Sequence, residues 1–169
     1  HVHLRIFNPW FERGIARMHR KLCVVDRNLA FLGGININDD FHADDNEQII
    51  LPAPRWDFAV RIDGPLVRGI YLEAEMQWTK LSSLGIRTRW ELYREKRKTP
   101  TVSDGPAFAA LVVRDNLRHR RMIQRAYLKA LGNARKSAML ANPYFAPGRK
   151  LRDALASAAA RGVEVTLLL

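Results

Sequence analysis

The sequence predicts an α/β fold, a mixed β-sheet flanked by helices. Three observations carry this. Apolar runs of strand length recur in the first part, as KLCVV, LAFLG and FAVRI. Two longer stretches repeat apolar residues at helical spacing. The tail reads strand, helix, strand, an order that argues for a mixed or parallel sheet covered by helices.

Taken in order, VHLRIF alternates and reads as a strand. It has no lead-in, so the chain is expected to begin inside a larger unit. KLCVV and LAFLG flank Asp26-Arg27-Asn28, a hairpin signal. Cys23, in the first of these runs, is expected to be a small buried apolar residue. Residues 37–55 are polar, acidic and proline-bearing and read as a surface loop. FAVRI is the next strand. Pro65 then opens a helix with Val67, Ile70, Tyr71, Ala74, Trp78 and Leu81 on one face. Residues 82–106 hold the basic run REKRK, Thr99-Pro100 and Gly105-Pro106, the best linker candidate. FAALVV is another strand. Met122, Ile123, Ala126, Tyr127, Ala130 and Leu131 mark a second amphipathic helix. A strand at SAMLANPYF, a helix over 148–160 and the buried-type strand VEVTLLL complete the chain. The expected division is 1–81, a linker at 82–106, and 107–169. Nothing follows the last strand, so both ends are expected to be cut.

The chain has 169 residues, 47% apolar and 27% charged. That is enough for a core and reads as soluble and globular. A lone cysteine excludes an internal disulfide framework. No apolar run approaches bilayer-spanning length and no signal-peptide pattern opens the chain, so membrane contact is expected to be peripheral. Residues 1–60 hold 7 Lys/Arg against 8 Asp/Glu, whereas 61–169 hold 21 against 9. The second part favours an anionic partner: phospholipid head groups, nucleic acid or another phosphate-rich surface.

The informative segment is MHRKLCVVDRNLAFLGGIN. His19 and Lys21 are two apart, and on a strand both point to one face. An imidazole and an ammonium side by side make a site for phosphate. The imidazole can attack phosphorus or shuttle a proton, and lysine faces the non-bridging oxygens. Asp26 falls at the strand's end, where a carboxylate can orient a neighbour or hold the turn. Gly33 and Gly34 let backbone approach the site, and Asn36 offers an amide donor to a phosphate oxygen. A His-x-Lys pair alone is ordinary surface. Six defined positions in one short segment are not.

The pattern His19-x-Lys21-x4-Asp26-x6-Gly33-Gly34-x-Asn36 resembles the HKD motif of the phospholipase D superfamily. Its surroundings are similar to bacterial cardiolipin synthases, most of all the B-type branch, as are WDFAVRIDGPLV and ANPYFAPGRKLRDALASAAARGVEVTLLL. The resemblance implies two such motifs, one per half, meeting at a pseudo-two-fold axis. One histidine forms a phosphohistidine; the other protonates the leaving group and then activates the acceptor alcohol. No cofactor and no metal are required. His19 would be one of that pair, with the nucleophile's role expected. Lys21, Gly33, Gly34 and Asn36 would hold the phosphate, Asp26 would belong to the catalytic set with His19 and Lys21, and Asp57 aligns with a carboxylate that orients the opposite histidine. Only one motif is present here. His119 is followed by Arg120-Arg121, with arginine where lysine belongs.

The chain is therefore expected to be the end of a first half, the 82–106 linker, and the start of a second half, holding half of an active site. The expected function is phosphatidyl transfer between anionic phospholipids such as phosphatidylglycerol, on the cytoplasmic side of a bacterial membrane. It would be completed by the missing half or by a second copy. The alternatives are a phospholipase or a nucleic-acid phosphodiesterase of the same superfamily, and a non-catalytic lipid- or anion-binding fragment. Other features carry less. Asp39, Asp40, Asp44, Asp45 and Glu47 lack calcium-loop spacing and read as a solvated loop. Trp10 and Phe11 read as core or as a membrane wedge. REKRK reads as a solvated linker or as a contact for anionic lipid or nucleic acid. Tyr144 and Phe145 read as packing in the second half, although the resemblance places this turn near the site.

Overall fold

Asp26 and Arg27 both take left-handed backbone, with φ of 50° and 58°. Two such residues in succession match the right-handed twist of flanking strands and so close a hairpin. The hairpin joins β1 (Lys21–Val25) to β2 (Leu29–Gly33) in antiparallel register, with Val25 opposite Leu29 and Lys21 opposite Gly33. The computed structural model describes residues 1–5, 19–43, 46, 48–81, 86–99, 102–104, 107–115 and 119–169. It divides into two units, His1–Leu111 and Val112–Leu169.

In the first unit β3 (Ala59–Asp63) adds to β2, with Gly33 opposite Ala59. Between them, the described residues of 34–58 form a loop, where the sequence reading placed one over 37–55. It is held by Leu51 N–H to Phe41 O at 2.7 Å and by an isolated bridge between His42 and Ile50. Alternation sends Val24, Ala30, Leu32 and Ile62 to one face, against Leu66, Val67 and Ile70 of α1 (Leu66–Lys80). Val67, Ile70 and Leu72 are fully buried; each such side chain contributes roughly 1.5–3 kcal/mol. Pro65 sits at the N-cap position of α1. Among the described residues nothing covers the other sheet face, with Cys23 and Phe31 exposed on it. Cys23 is thus not buried: it shares the face of Lys21, which α1 does not cover.

Helix α2 (Ile86–Lys98) lies within the 82–106 stretch and packs on α1. Arg68 donates to Glu95 at 2.8 Å across that contact. Strands β4 (Val102–Asp104) and β5 (Phe108–Ala110) pair as a small antiparallel ribbon. The expected N-terminal strand is not seen in residues 1–5. There Arg5 donates to the Trp78 carbonyl at 2.6 Å and stacks on its ring at 4.0 Å. The rest of VHLRIF, and Trp10 and Phe11, lie outside the described residues.

The second unit is α3 (Met122–Asn133), β6 (Ser137–Ala141), α4 (Arg149–Ala160) and β7 (Glu164–Leu168). β6 and β7 pair in parallel, as the strand–helix–strand reading requires. β6 ends at Ala141 because Asn142 turns the chain, its Oδ1 accepting the Tyr144 N–H at 2.9 Å. Gly162, at φ 85°, makes the turn into β7. Leu131, Leu155, Ala158 and Val163 form the buried positions, and Arg161 donates to the Leu131 carbonyl at 2.7 Å, closing the C-terminus of α3.

The loop also sets one titration. The Asp39 carboxylate accepts the Phe41 N–H at 2.9 Å, and this bond, with His42 and Arg55 nearby, holds it below the usual carboxylate range. A depressed carboxylate pKa stabilises the fold above the unfolded value and loses that contribution as pH falls through the folded one. By NMR titration Asp39 is expected to have a midpoint below that of an ordinary aspartate. Phe41→Pro, which removes the donor, should move it up.

Candidate active site

The motif's residues are positioned by the hairpin. His19 lies two residues before the paired part of β1, and Lys21 opens the strand. The Lys21 Nζ is 3.3 Å from both ring nitrogens of His19 and 3.3 Å from its carbonyl. Both side chains face the open side of the sheet. An ammonium within hydrogen-bond reach of an imidazole, both solvent-facing, is a pair that one phosphate group can engage at once.

Register brings the glycines beside them. Lys21 is opposite Gly33, and Gly33 is opposite Ala59. The chain then runs on so that Gly34 N–H donates to Phe58 O at 2.9 Å. A methyl group at Gly34 would overlap the Asp57 carboxylate, and one at Gly33 would overlap the Phe58 carbonyl and Ala59. The glycines are needed because β3 and the Asp57 side chain press directly on them. Asp57 is held in turn, its Oδ1 accepting the Phe58 N–H at 2.7 Å. His19, Lys21, Gly33, Gly34 and Asp57 therefore converge at one end of the sheet. Asn36 follows two residues beyond Gly34, exposed on the loop that leaves this corner.

Asp26 is not part of that cluster. It sits at the far end of β1, roughly 16 Å away along a strand that rises ~3.3 Å per residue. Its left-handed φ suits the short polar side chain that tolerates this region. Of the two roles open to it, the geometry gives it the turn. The next residue ties that turn to α1. Arg27 donates to Tyr71 Oη at 2.9 Å and lies 4.4 Å from its ring centroid, and Tyr71 donates to Glu75 at 3.1 Å. Burial and the Glu75 carboxylate hold the Tyr71 phenol above its ordinary range.

One set of residues escaped the reading of the sequence. Arg20, between His19 and Lys21, points to the opposite face and meets Glu73 of α1 at 3.5 Å. Glu73 also pairs with Lys96 of α2. Its side chain is only 10% exposed. A buried carboxylate persists only when paired, and this one ties the start of β1 to both helices. The available signal was a glutamate on the apolar side of a helix, beside Leu72.

No family model matches the chain. It is 38% identical over 153 residues to cardiolipin synthase B of Escherichia coli K12, covering 90% of this chain, and 40% identical over 152 residues to cardiolipin synthase B of Salmonella typhi. Cardiolipin synthase 1 of Bacillus cereus is 28% identical over 171 residues. Over nine-tenths of its length the chain is thus similar to cardiolipin synthases, which belong to the phospholipase D superfamily. It spans about a third of the length of these relatives, 35% for the first two and 32% for the third. The α/β architecture agrees with a phospholipase D-like segment. Among the described residues no cluster of three or more His, Cys, Asp or Glu could hold a metal ion, and no helix is long and apolar enough to cross a membrane. Asp44, Asp45 and Glu47 of the acidic run lie outside the described residues.

Proposed function

We propose that this phospholipase D segment supplies one half of a phosphatidyltransferase site acting on phospholipid phosphodiesters. The observation that supports it best is the convergence of His19 and Lys21 with Gly33, Gly34 and Asp57 on one open sheet end. In this reading the segment joins the end of one phospholipase D-like half to the start of a second. The second HKD histidine comes from the missing half or from another copy.

An imidazole nitrogen of His19 attacks phosphorus. The P–N bond forms as the P–O bond to the leaving alcohol breaks. The opposite histidine gives that oxygen its proton. Lys21 and the Asn36 amide neutralise and orient the non-bridging oxygens, which gain charge in the transition state. The phosphohistidine is then attacked by a hydroxyl of phosphatidylglycerol, whose proton returns to the opposite histidine. Phosphatidyl transfer follows and His19 is restored. Asp57, fixed by the Phe58 N–H, orients the incoming imidazole, as a carboxylate behind a catalytic histidine does. No metal enters this scheme. The printed names of the relatives support cardiolipin as product, and the reading includes peripheral contact with the cytoplasmic face of a bacterial membrane.

The test is product analysis by mass spectrometry. Phosphatidylglycerol is incubated with this chain extended through a second HKD motif. Cardiolipin is the expected product, and phosphatidic acid alone would show a hydrolase. Silence of the extended protein, with its fold intact, would overturn the reading.

A further inference from the structure

His19 stands on backbone that precedes the sheet ladder. The β1–β2 pairing begins at Lys21, opposite Gly33, so His19 and Arg20 lie before its first rung. Strand alternation sends His19 and Lys21 to the face that α1 does not cover, and Arg20, between them, to the face packed on α1. An anchored side chain in that place restrains the backbone from which both neighbours project.

The anchor is Glu73, 8% exposed and next to the buried Leu72 on α1. Its two carboxylate oxygens take one cation each. Oε2 meets Arg20 Nη1 at 3.5 Å, and Oε1 meets Lys96 Nζ of α2. A carboxylate this deep keeps its charge only beside counterions, and these two come from β1's approach and from α2. A line of contacts thus runs from α2 through Glu73 and Arg20 to the His19–Lys21 pair, all within the first unit. Arg68 and Glu95 also join α1 to α2, at 2.8 Å, but on exposed side chains that bypass Glu73.

We infer that Glu73, acting through Arg20, is a positioning residue for the His19–Lys21 pair, and that α2 takes part through Lys96. The carboxylate does more than hold the fold: it sets the direction in which imidazole and ammonium meet a phosphodiester. The inference rests on the reading of that pair as the one that engages phosphate. Misplacing a reacting group by about 1 Å can cost about 10²-fold in rate, so a link of modest strength can govern a large share of the reactivity.

Two readouts on the full 169-residue chain separate positioning from stability. The first is the NOE between the His19 ring protons and the Lys21 Hε methylene. It reports the 3.3 Å approach of Lys21 Nζ to the ring without any turnover. The second is phosphatidyl capture at His19 from a p-nitrophenyl phosphatidyl ester, in which the P–N bond forms as p-nitrophenolate leaves. Its rate is resolved into a maximum and a half-saturating concentration. Arg20→Gln and Glu73→Gln should each weaken the NOE and lower the maximal rate about 10–100-fold, with half-saturation little changed. The double variant should lose no more than either alone, because the two act as one link. Arg20→Lys should restore part of both readouts. Arg68→Gln, which loosens the same two helices away from Glu73, should leave both unchanged. An undiminished NOE in Arg20→Gln, whose part-exposed position tolerates the change, would overturn the inference. So would an equal loss in Arg68→Gln, or additive losses in the double variant. A wild-type chain that shows the NOE but takes no adduct would overturn the nucleophile's assignment instead, and the NOE series would still decide the positioning.

Discussion

His19→Ala is expected to abolish covalent capture of an activated phosphodiester by this chain. The substrate would be a phosphatidyl ester of p-nitrophenol, whose leaving group departs without a proton donor. That choice removes the need for the opposite histidine and isolates the nucleophile. The chain should gain the mass of one phosphatidyl group, mapped to the peptide containing His19, and His19→Ala should gain none. Lys21→Ala should slow capture by about 10²–10³-fold, the usual cost of removing one transition-state charge partner. Asp57→Asn should change this first step little, because Asp57 serves the opposite imidazole in the proposed scheme. An adduct on His119 or on Cys23, with His19 bare, would sink the assignment of the nucleophile.

Glu73→Ala is the structural counterpart, with an expected loss of about 2 kcal/mol in stability of the first unit. Removing one partner of a buried ion pair costs more than the pair contributes, because the remaining charge is left without a counterion. Here Arg20 and Lys96 are 35% and 28% exposed at the side chain and can turn partly toward water, which holds the loss below the 3–5 kcal/mol of a fully enclosed pair. Chemical denaturation monitored by Trp78 and Trp90 fluorescence would measure it. The same change frees the start of β1, so the His19 amide should exchange faster with solvent. Glu73→Gln, which keeps the shape, should recover part of the stability. Unchanged stability in Glu73→Ala would show that Arg20 and Lys96 do not depend on this carboxylate.

Much of the fold was legible because its elements have simple periods. The β1–β2 hairpin announced itself through alternating apolar runs around an Asp-Arg-Asn turn, and the β6–α4–β7 unit through its order. Helix α2 was not legible. None of its residues is buried, so it carries no apolar stripe and its basic residues read as a solvated run. Its place depends on Arg68–Glu95 and Lys96–Glu73, contacts between residues far apart in the chain. The candidate site was legible as a set of spacings, since five of its residues lie in one segment. The role of Asp26 was not, because a spacing cannot tell a residue at the cluster from one at the other end of the same strand. Cys23 misled for a related reason. An apolar run names the strand but does not say that only one of its faces is covered.

The tight turn at Asp26–Arg27 has a consequence for how the chain acquires its chemistry. Hairpins close in about 1–10 μs, ahead of contacts that must first gather a long loop. His19, Lys21, Gly33 and Gly34 all hang on that one hairpin, so they are expected to come into register by local zipping, early in folding. Asp57 joins them only after the loop of residues 35–56 has folded back to lay β3 beside β2. The His19–Lys21 pair is thus expected early in folding and the carboxylate late. Substitutions in the turn should therefore delay the assembly of the whole corner, although the turn itself never touches a substrate.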